Sequence, residues 1–138
     1  MRFSISETIL MLSGRDITGF HSGADSFTVE RIANTGNLTV GANGDGVFVA
    51  TNNKSIRLTL NLLQNHEDNK FMSDMLAMQE NNFKDFAPMA LYIKDLINGD
   101  VYDGEDGWFE VVPPYARGNE YNSQQWQIVF TKGSPNLK

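Results

Sequence analysis

Apolar and polar positions alternate most cleanly between Ile56 and Leu62, where Ile56, Leu58, Leu60 and Leu62 are separated by Arg57, Thr59 and Asn61. Side chains on a strand point to opposite faces with a period of two, so this stretch predicts a strand with one buried and one wet face. Gln125–Thr131 repeats the pattern, with Trp126, Ile128 and Phe130 against Gln125, Gln127 and Thr131, and Val129 as the apolar exception. Phe27–Ile32, Leu38–Val40, Val47–Thr51, Met89–Asp95 and Trp108–Val112 also read as strands, the last stopped by Pro113-Pro114, and Thr8–Leu12 is a further short candidate.

The period changes once. Phe71, Met72, Met75, Leu76 and Met78 recur at helical spacing, which predicts one helix of about 12–14 residues. Asn65 is the candidate N-cap, Glu67 and Asp68 sit where the helix dipole favours acids, and Asn81-Asn82 followed by Ala87-Pro88 ends the pattern. Asn43-Gly44-Asp45-Gly46 is a strong hairpin signal, and Asn98-Gly99-Asp100 and Asp103–Gly107 read as two further turns. The expected architecture is a single domain over residues 1–138, mainly β (α+β): an antiparallel β-sandwich or barrel of about six or seven strands flanked by one α-helix.

Composition narrows the chemistry. The longest apolar run, Met89–Ile93, is far short of the roughly 18 residues a spanning helix needs, so no membrane partner is expected. The four apolar residues of Ile9–Leu12 are too few for a secretory signal. The chain has no cysteine, which removes disulfides, thiolate metal sites and thiol nucleophiles. Seventeen acids against eleven Lys and Arg give a net charge of −6, and the basic residues are scattered, which opposes nucleic-acid binding.

Candidate catalytic groups are few. His21, near Ser22, Asp25 and Ser26, and His66 are the only imidazoles, and no Gly-x-Ser-x-Gly elbow accompanies them. Asp95, Asp100, Asp103, Glu105, Asp106 and Glu110 invite a calcium loop, but the ligand register fails at Tyr102 and at Gly107, which leaves a solvated acidic stretch. Trp108, Tyr115, Tyr121 and Trp126 could stack a sugar, although Trp108 and Trp126 fall inside strand patterns and read as core. The Met72, Met75, Met78 stripe reads as a packed helix face. No catalytic, metal or cofactor-binding residue is assigned, and no cofactor is implied.

Sheet edges then become the informative feature. Ile56–Leu62 has no Pro and one Arg, and Trp126–Thr131 has neither Pro nor charge, so as edges they would be open to pairing with neighbouring copies. The order of segments carries a resemblance. Strand Phe27–Ile32 is followed by Leu38-Thr39-Val40-Gly41-Ala42-Asn43-Gly44-Asp45-Gly46, then Asn53-Lys54-Ser55, the alternating strand through Gln64 and a helix. Tyr92-Ile93-Lys94-Asp95, a Gly/Asp turn, Pro113-Pro114 and Gln125-Trp126-Gln127-Ile128 complete it. Over about Phe27 to Thr131 this resembles the tail tube proteins of contractile-tailed, myovirus-type bacteriophages.

The resemblance implies a structural protein without enzymatic activity, made in the host bacterial cytoplasm and located in the virion tail. Six copies would form a ring whose sheets join into an inner barrel, and rings would stack into a hollow tube. Its implied partners are itself, the tail sheath protein, the tape-measure protein, the baseplate hub, the tail terminator and DNA in transit without specific binding. The hairpin 35–54, with Gly41, Asn43, Gly44, Asp45 and Gly46 at its turn, is the candidate inter-ring stacking loop, and Thr59, Asn61, Gln125 and Gln127 are the lumen candidates. The short tail after Thr131 and the heavy acidic stretch keep open a tube-capping or baseplate ring protein of the same fold. A monomeric ligand-binding β module using Trp108, Tyr115 and Tyr121, or a hydrolase using His21 or the acidic stretch, are the remaining readings.

Overall fold

The computed structural model describes residues 2–20, 26–118 and 123–138. Among the described residues nine strands form: β1 (Thr8–Leu12), β2 (Arg15–Asp16), β3 (Phe27–Arg31), β4 (Gly36–Val40), β5 (Gly46–Ala50), β6 (Ile56–Leu63), β7 (Met89–Asp95), β8 (Val101–Val111) and β9 (Ser123–Asn136). One helix, α1 (Asp68–Asn81), follows β6. Seven strands make an antiparallel sheet in the order β2-β1-β7-β8-β9-β6-β3, while β4 and β5 form a separate two-stranded ribbon.

The alternation in β6 is realised fully. Ile56, Leu58, Leu60 and Leu62 are completely buried, and opposite them on β9 lie Trp126, Ile128 and Phe130. Leu10 and Leu12 of β1, Leu91 and Ile93 of β7, Phe109 of β8 and Met72 of α1 join the same core. Residues 17–20 carry the chain from one side of the sheet to the other. Ile17 N donates to Leu10 O (2.9 Å), Leu63 N donates to Gly19 O (2.8 Å), and Phe20 bridges Leu62. This strap draws the curled sheet round on itself, so backbone groups that an open sheet would leave unpaired find partners there.

Register fixes what lies at each end. The start of β1 pairs with the end of β7, the start of β8 with the end of β9, and the end of β3 with the start of β6. The N-terminal segment, the β7–β8 turn, the C-terminus and the β4–β5 ribbon are therefore at one end, where Phe3, Ile5, Leu96, Ile97 and Leu137 are exposed. The β1–β2 turn and the entry into α1 are at the other.

Three expectations need correction. Asp103–Gly107 is not a turn but the middle of β8, which runs on through Trp108 as one eleven-residue strand. Its glycines are there for packing: a Cβ on Gly107 would come within 2.4 Å of Phe130 Cε2, and one on Gly104 within 3.3 Å of Phe130 and Ile56. Asp106 takes a positive φ of 55° where the two strands are irregular. Alongside β8, β9 runs past Thr131 to Asn136. Second, β6 and β9 are interior strands, so neither is an edge; β3 and β2 are. Third, Asn65 is not the N-cap of α1. Glu67 takes that place without a side-chain cap, and Asp68 is turned into the protein. The turn at Asn43–Gly46 forms as expected, with Gly41 N donating to Asp45 O (2.8 Å) and Gly44 at φ 86°.

Candidate assembly surfaces

The β4–β5 ribbon makes no ladder with the main sheet. Residues directly opposite on antiparallel strands share a face, and here the pairs are Gly36 with Ala50, Leu38 with Phe48 and Val40 with Gly46. One face is thus wholly apolar, and Leu38, Val40 and Phe48 on it are 65%, 56% and 62% exposed. The other face pairs Asn37 with Val49 and Thr39 with Val47. Gly36 lets the Phe48 ring lie across the ribbon, since a Cβ there would sit 2.3 Å from Phe48 Cζ. An isolated two-stranded ribbon is marginal in water, and this one holds its apolar face out to solvent. Gly41, Asn43, Gly44, Asp45 and Gly46 are gathered at its exposed tip.

A second surface is the side of the sheet turned away from the core and α1. Register brings four sequence-predicted residues together there: Thr59 is opposite Gln127, and Asn61 is opposite Gln125, whose Nε2 donates to Asn61 Oδ1 (3.3 Å). Thr28 on β3 extends the first row. A parallel row runs Glu30, Arg57, Val129, and Arg57 pairs with Glu110 of β8. This surface is mostly polar, with Arg57 set between Glu30 and Glu110.

A third cluster was not legible in the sequence. Asp68, 1% exposed, accepts from Arg15 Nε (3.2 Å) and Nη2 (2.9 Å) on one oxygen and from Thr18 N (2.9 Å) and Gly19 N (2.8 Å) on the other. Burial by itself raises its carboxyl; the Gly19 and Thr18 amides, Arg15 and His66 more than offset this and hold it below the ordinary carboxylate value. His66 Nδ1 accepts the Asp68 amide (3.1 Å), and Gly19 packs so tightly that a Cβ would meet the imidazole at 2.2 Å. These contacts pin the strap to the start of α1. Apart from His66, the cluster is made by contacts between residues some fifty positions apart, and no local motif announces it.

The other candidate chemistry is dispersed. His66 is part of the clasp just described, while His21, Ser22 and Asp25 lie outside the described residues. The acids of 95–110 are strung along β7, its turn and β8, and no group of three metal-ligating side chains occurs among the described residues. Asp95 instead folds its own turn: the hydrogen bond from the Asn98 side chain, with those from the Asn98 and Ile97 amides, lowers its carboxyl against the opposing effect of desolvation. Trp126 is core, its ring 5.6 Å edge-on from Phe109 and its Nε1 donating to Asn69 Oδ1 (3.0 Å). Tyr115 is 84% exposed with Arg117 over its ring and lines one open depression together with Trp126, while Tyr121 lies outside the described residues. Of the methionine stripe, Met72 is buried, Met75 packs on the core and Met78 is exposed.

The architecture is that of contractile-system tube and terminator proteins. It superposes on the sheath/tube terminator of an extracellular contractile injection system, PVC, with a TM-score of 0.62 at 8% identity, covering 99% of this chain and 98% of that one. The sheath-tube complex of that system matches at 0.61 and 11% identity, covering 99% and 93%, and the tube-terminating cap of the anti-feeding prophage at 0.59 and 11%, covering 100% and 93%. Within sequence, structural protein ORF10 of Pseudomonas phage KPP10 is 26% identical over 115 residues; these are 83% of this chain and 66% of that protein, just under two thirds of its length. The family model of the bacteriophage PhiTE tail tube protein matches residues 5–136, and the chain belongs to that family. It is a structural protein of the phage tail.

Proposed function

We propose that the chain is the repeating subunit of the tail tube, with copies joined side by side in rings of six and the rings stacked head to tail. The observation that carries this reading is the β4–β5 ribbon, which leaves one end of the molecule with an apolar face that none of the described residues covers. Reaching onto the next ring gives that face a place to be buried. The open edge of β3 offers backbone groups for lateral pairing. The polar row of Thr59, Asn61, Gln125 and Gln127 lies opposite α1 and lines the channel, where it offers DNA only weak, replaceable hydrogen bonds. A sheath outside, a tape-measure protein inside, and a baseplate hub and terminator at the ends are the partners of such a tube. The reading assigns no enzymatic step.

Deleting Gly41–Gly46 is expected to leave a folded subunit that no longer polymerises, judged by circular dichroism and negative-stain electron microscopy. Tubes of normal length from that variant would defeat the stacking role. A second reading, a ring that terminates the tube, is favoured by the match of nearly full length to a sheath/tube terminator. The same microscopy separates the two: the wild-type chain alone gives stacked tubes in the first case and single rings in the second.

A further inference from the structure

We propose that Asn43 is a site of spontaneous deamidation, and that the reaction ages the chain for as long as its ribbon stays uncovered. The chemistry needs an asparagine followed by a residue whose backbone nitrogen can reach the side-chain carbonyl carbon. Glycine permits this best, because no Cβ blocks the approach and its backbone turns freely. Asn-Gly occurs twice in the chain, at Asn43-Gly44 and at Asn98-Gly99. Both pairs stand in turns, with Gly44 at φ 86° and Gly99 at φ 82°, so turn geometry accounts for the presence of each and does not separate them.

Their surroundings do. Asn98 is held at every group the reaction uses. Its Nδ2 donates to Asp95 Oδ2 (2.8 Å) and to Arg2 O (2.9 Å), its own amide donates to Asp95 Oδ1 (3.2 Å), and Gly99 N donates to Asp95 O (2.7 Å). The Asp95 carboxylate also opposes the negative charge that Gly99 N must take on to attack. Asn43 is exposed at the tip of the ribbon, and among the described residues nothing hydrogen-bonds its side chain. A Cβ on Gly44 would meet nothing within 4 Å, whereas one on Gly99 would lie 3.4 Å from Lys138 Cγ. The bond that guards Asn43 runs from Gly44 N to Gly41 O (3.0 Å), a turn bond in a ribbon that is marginal in water.

The step balances with water alone. Hydroxide takes the proton of the Gly44 amide, and that nitrogen bonds to Asn43 Cγ. The side-chain nitrogen takes up a proton and leaves as ammonia, which closes a succinimide ring. Water then opens the ring at either carbonyl, and nothing is oxidised or reduced. One opening leaves an ordinary aspartate at position 43; the other leaves an isoaspartate, whose backbone is longer by one methylene. Both add a negative charge two residues from Asp45, and the second also disturbs the hairpin turn. A copy seated on the tip would exclude water and hold the turn closed. This protection rests on the reading that a neighbouring copy covers the ribbon.

The test holds purified full chain, as unassembled subunits and as assembled particles, at mildly alkaline pH in heavy-oxygen water. Peptide mass mapping then reads the oxygen gained at each asparagine, and enzymatic methylation reads isoaspartate. In subunits the Asn43 peptide should gain heavy oxygen, at a rate that rises with hydroxide. The Asn98 peptide should react more slowly by about tenfold or more, the factor that one hydrogen bond to a charged group is worth. Asn43→Gln should abolish the signal, since the longer side chain closes a ring far less readily and no positive φ is required at that position. No reaction at Asn43 in subunits, or equal rates at the two sites, overturns the assignment. Should Asn43→Gln not fold, wild-type chain in denaturant supplies the control. There the two sites should react at closely similar rates, and a difference that persists overturns the structural argument. Assembled particles should react more slowly at Asn43 than subunits do. Equal rates refute the protection and the reading on which it rests, while reaction in subunits still decides the site.

Discussion

Replacing Leu38 and Phe48 together with serine perturbs assembly while sparing the fold. Both side chains sit on the apolar face of the ribbon, 65% and 62% exposed, and touch no part of the buried core. Full burial of a Leu or Phe stabilises by about 1.5–3 kcal/mol, so roughly two thirds of that, about 1–2 kcal/mol for each, is still to be gained when a neighbour covers the face. The pair then contributes about 2–4 kcal/mol to each stacking contact, and its loss should raise the concentration needed for polymerisation by about 30- to 1000-fold. The subunit itself loses only the cross-strand contact, worth roughly 0.2–1 kcal/mol, so its melting temperature should barely move. Sedimentation of polymer across a concentration series, with a thermal melt of the unassembled protein, measures both. An unchanged critical concentration refutes burial of this face in the assembly. A collapsed melting temperature refutes the claim that the face is idle in the subunit.

Two further substitutions probe the scaffold. Asp68→Asn removes the charge that Arg15 and two strap amides converge on, and should cost about 1.5–3 kcal/mol in a denaturant titration, the range for hydrogen bonds to a charged group. Because that carboxyl is held below its ordinary 3.8, its contribution is complete above that pH and disappears as pH falls through the lower folded value. Wild type should therefore lose stability below about pH 4 more steeply than Asp68→Asn. Gly107→Ala places a methyl 2.4 Å from the Phe130 ring and should destabilise by about 1–3 kcal/mol, with a partner Phe130→Leu restoring part of the loss.

Strands whose one face is apolar were legible because burial imposes a period of two, and β6, β7 and most of β9 follow it. The helix was legible for the same reason, at a period of 3.6. What misled was glycine. In Asp103–Gly107 it looks like turn chemistry, yet there it makes room for the Phe130 ring brought up from a strand distant in sequence, and local reading has no access to that partner. Edge positions failed similarly: whether a strand lies inside a sheet depends on which others pair with it, so β6 and β9 looked exposed to pairing and are flanked on both sides. The polar-face residues were recoverable, since alternation against Leu58, Leu60, Trp126 and Ile128 already assigned them to one side. The Asp68 clasp was not, because its donors are two backbone amides and an arginine some fifty positions earlier in the chain.

The uneven ends of the molecule have a consequence for size control. If copies stack as proposed, with the ribbon of one on the opposite end of the next, each addition recreates the same ribbon-bearing rim one step further on. Growth of that kind has a direction and no internal stopping point. On that reading the number of layers would be set by a different molecule, one that measures the column or plugs its advancing rim.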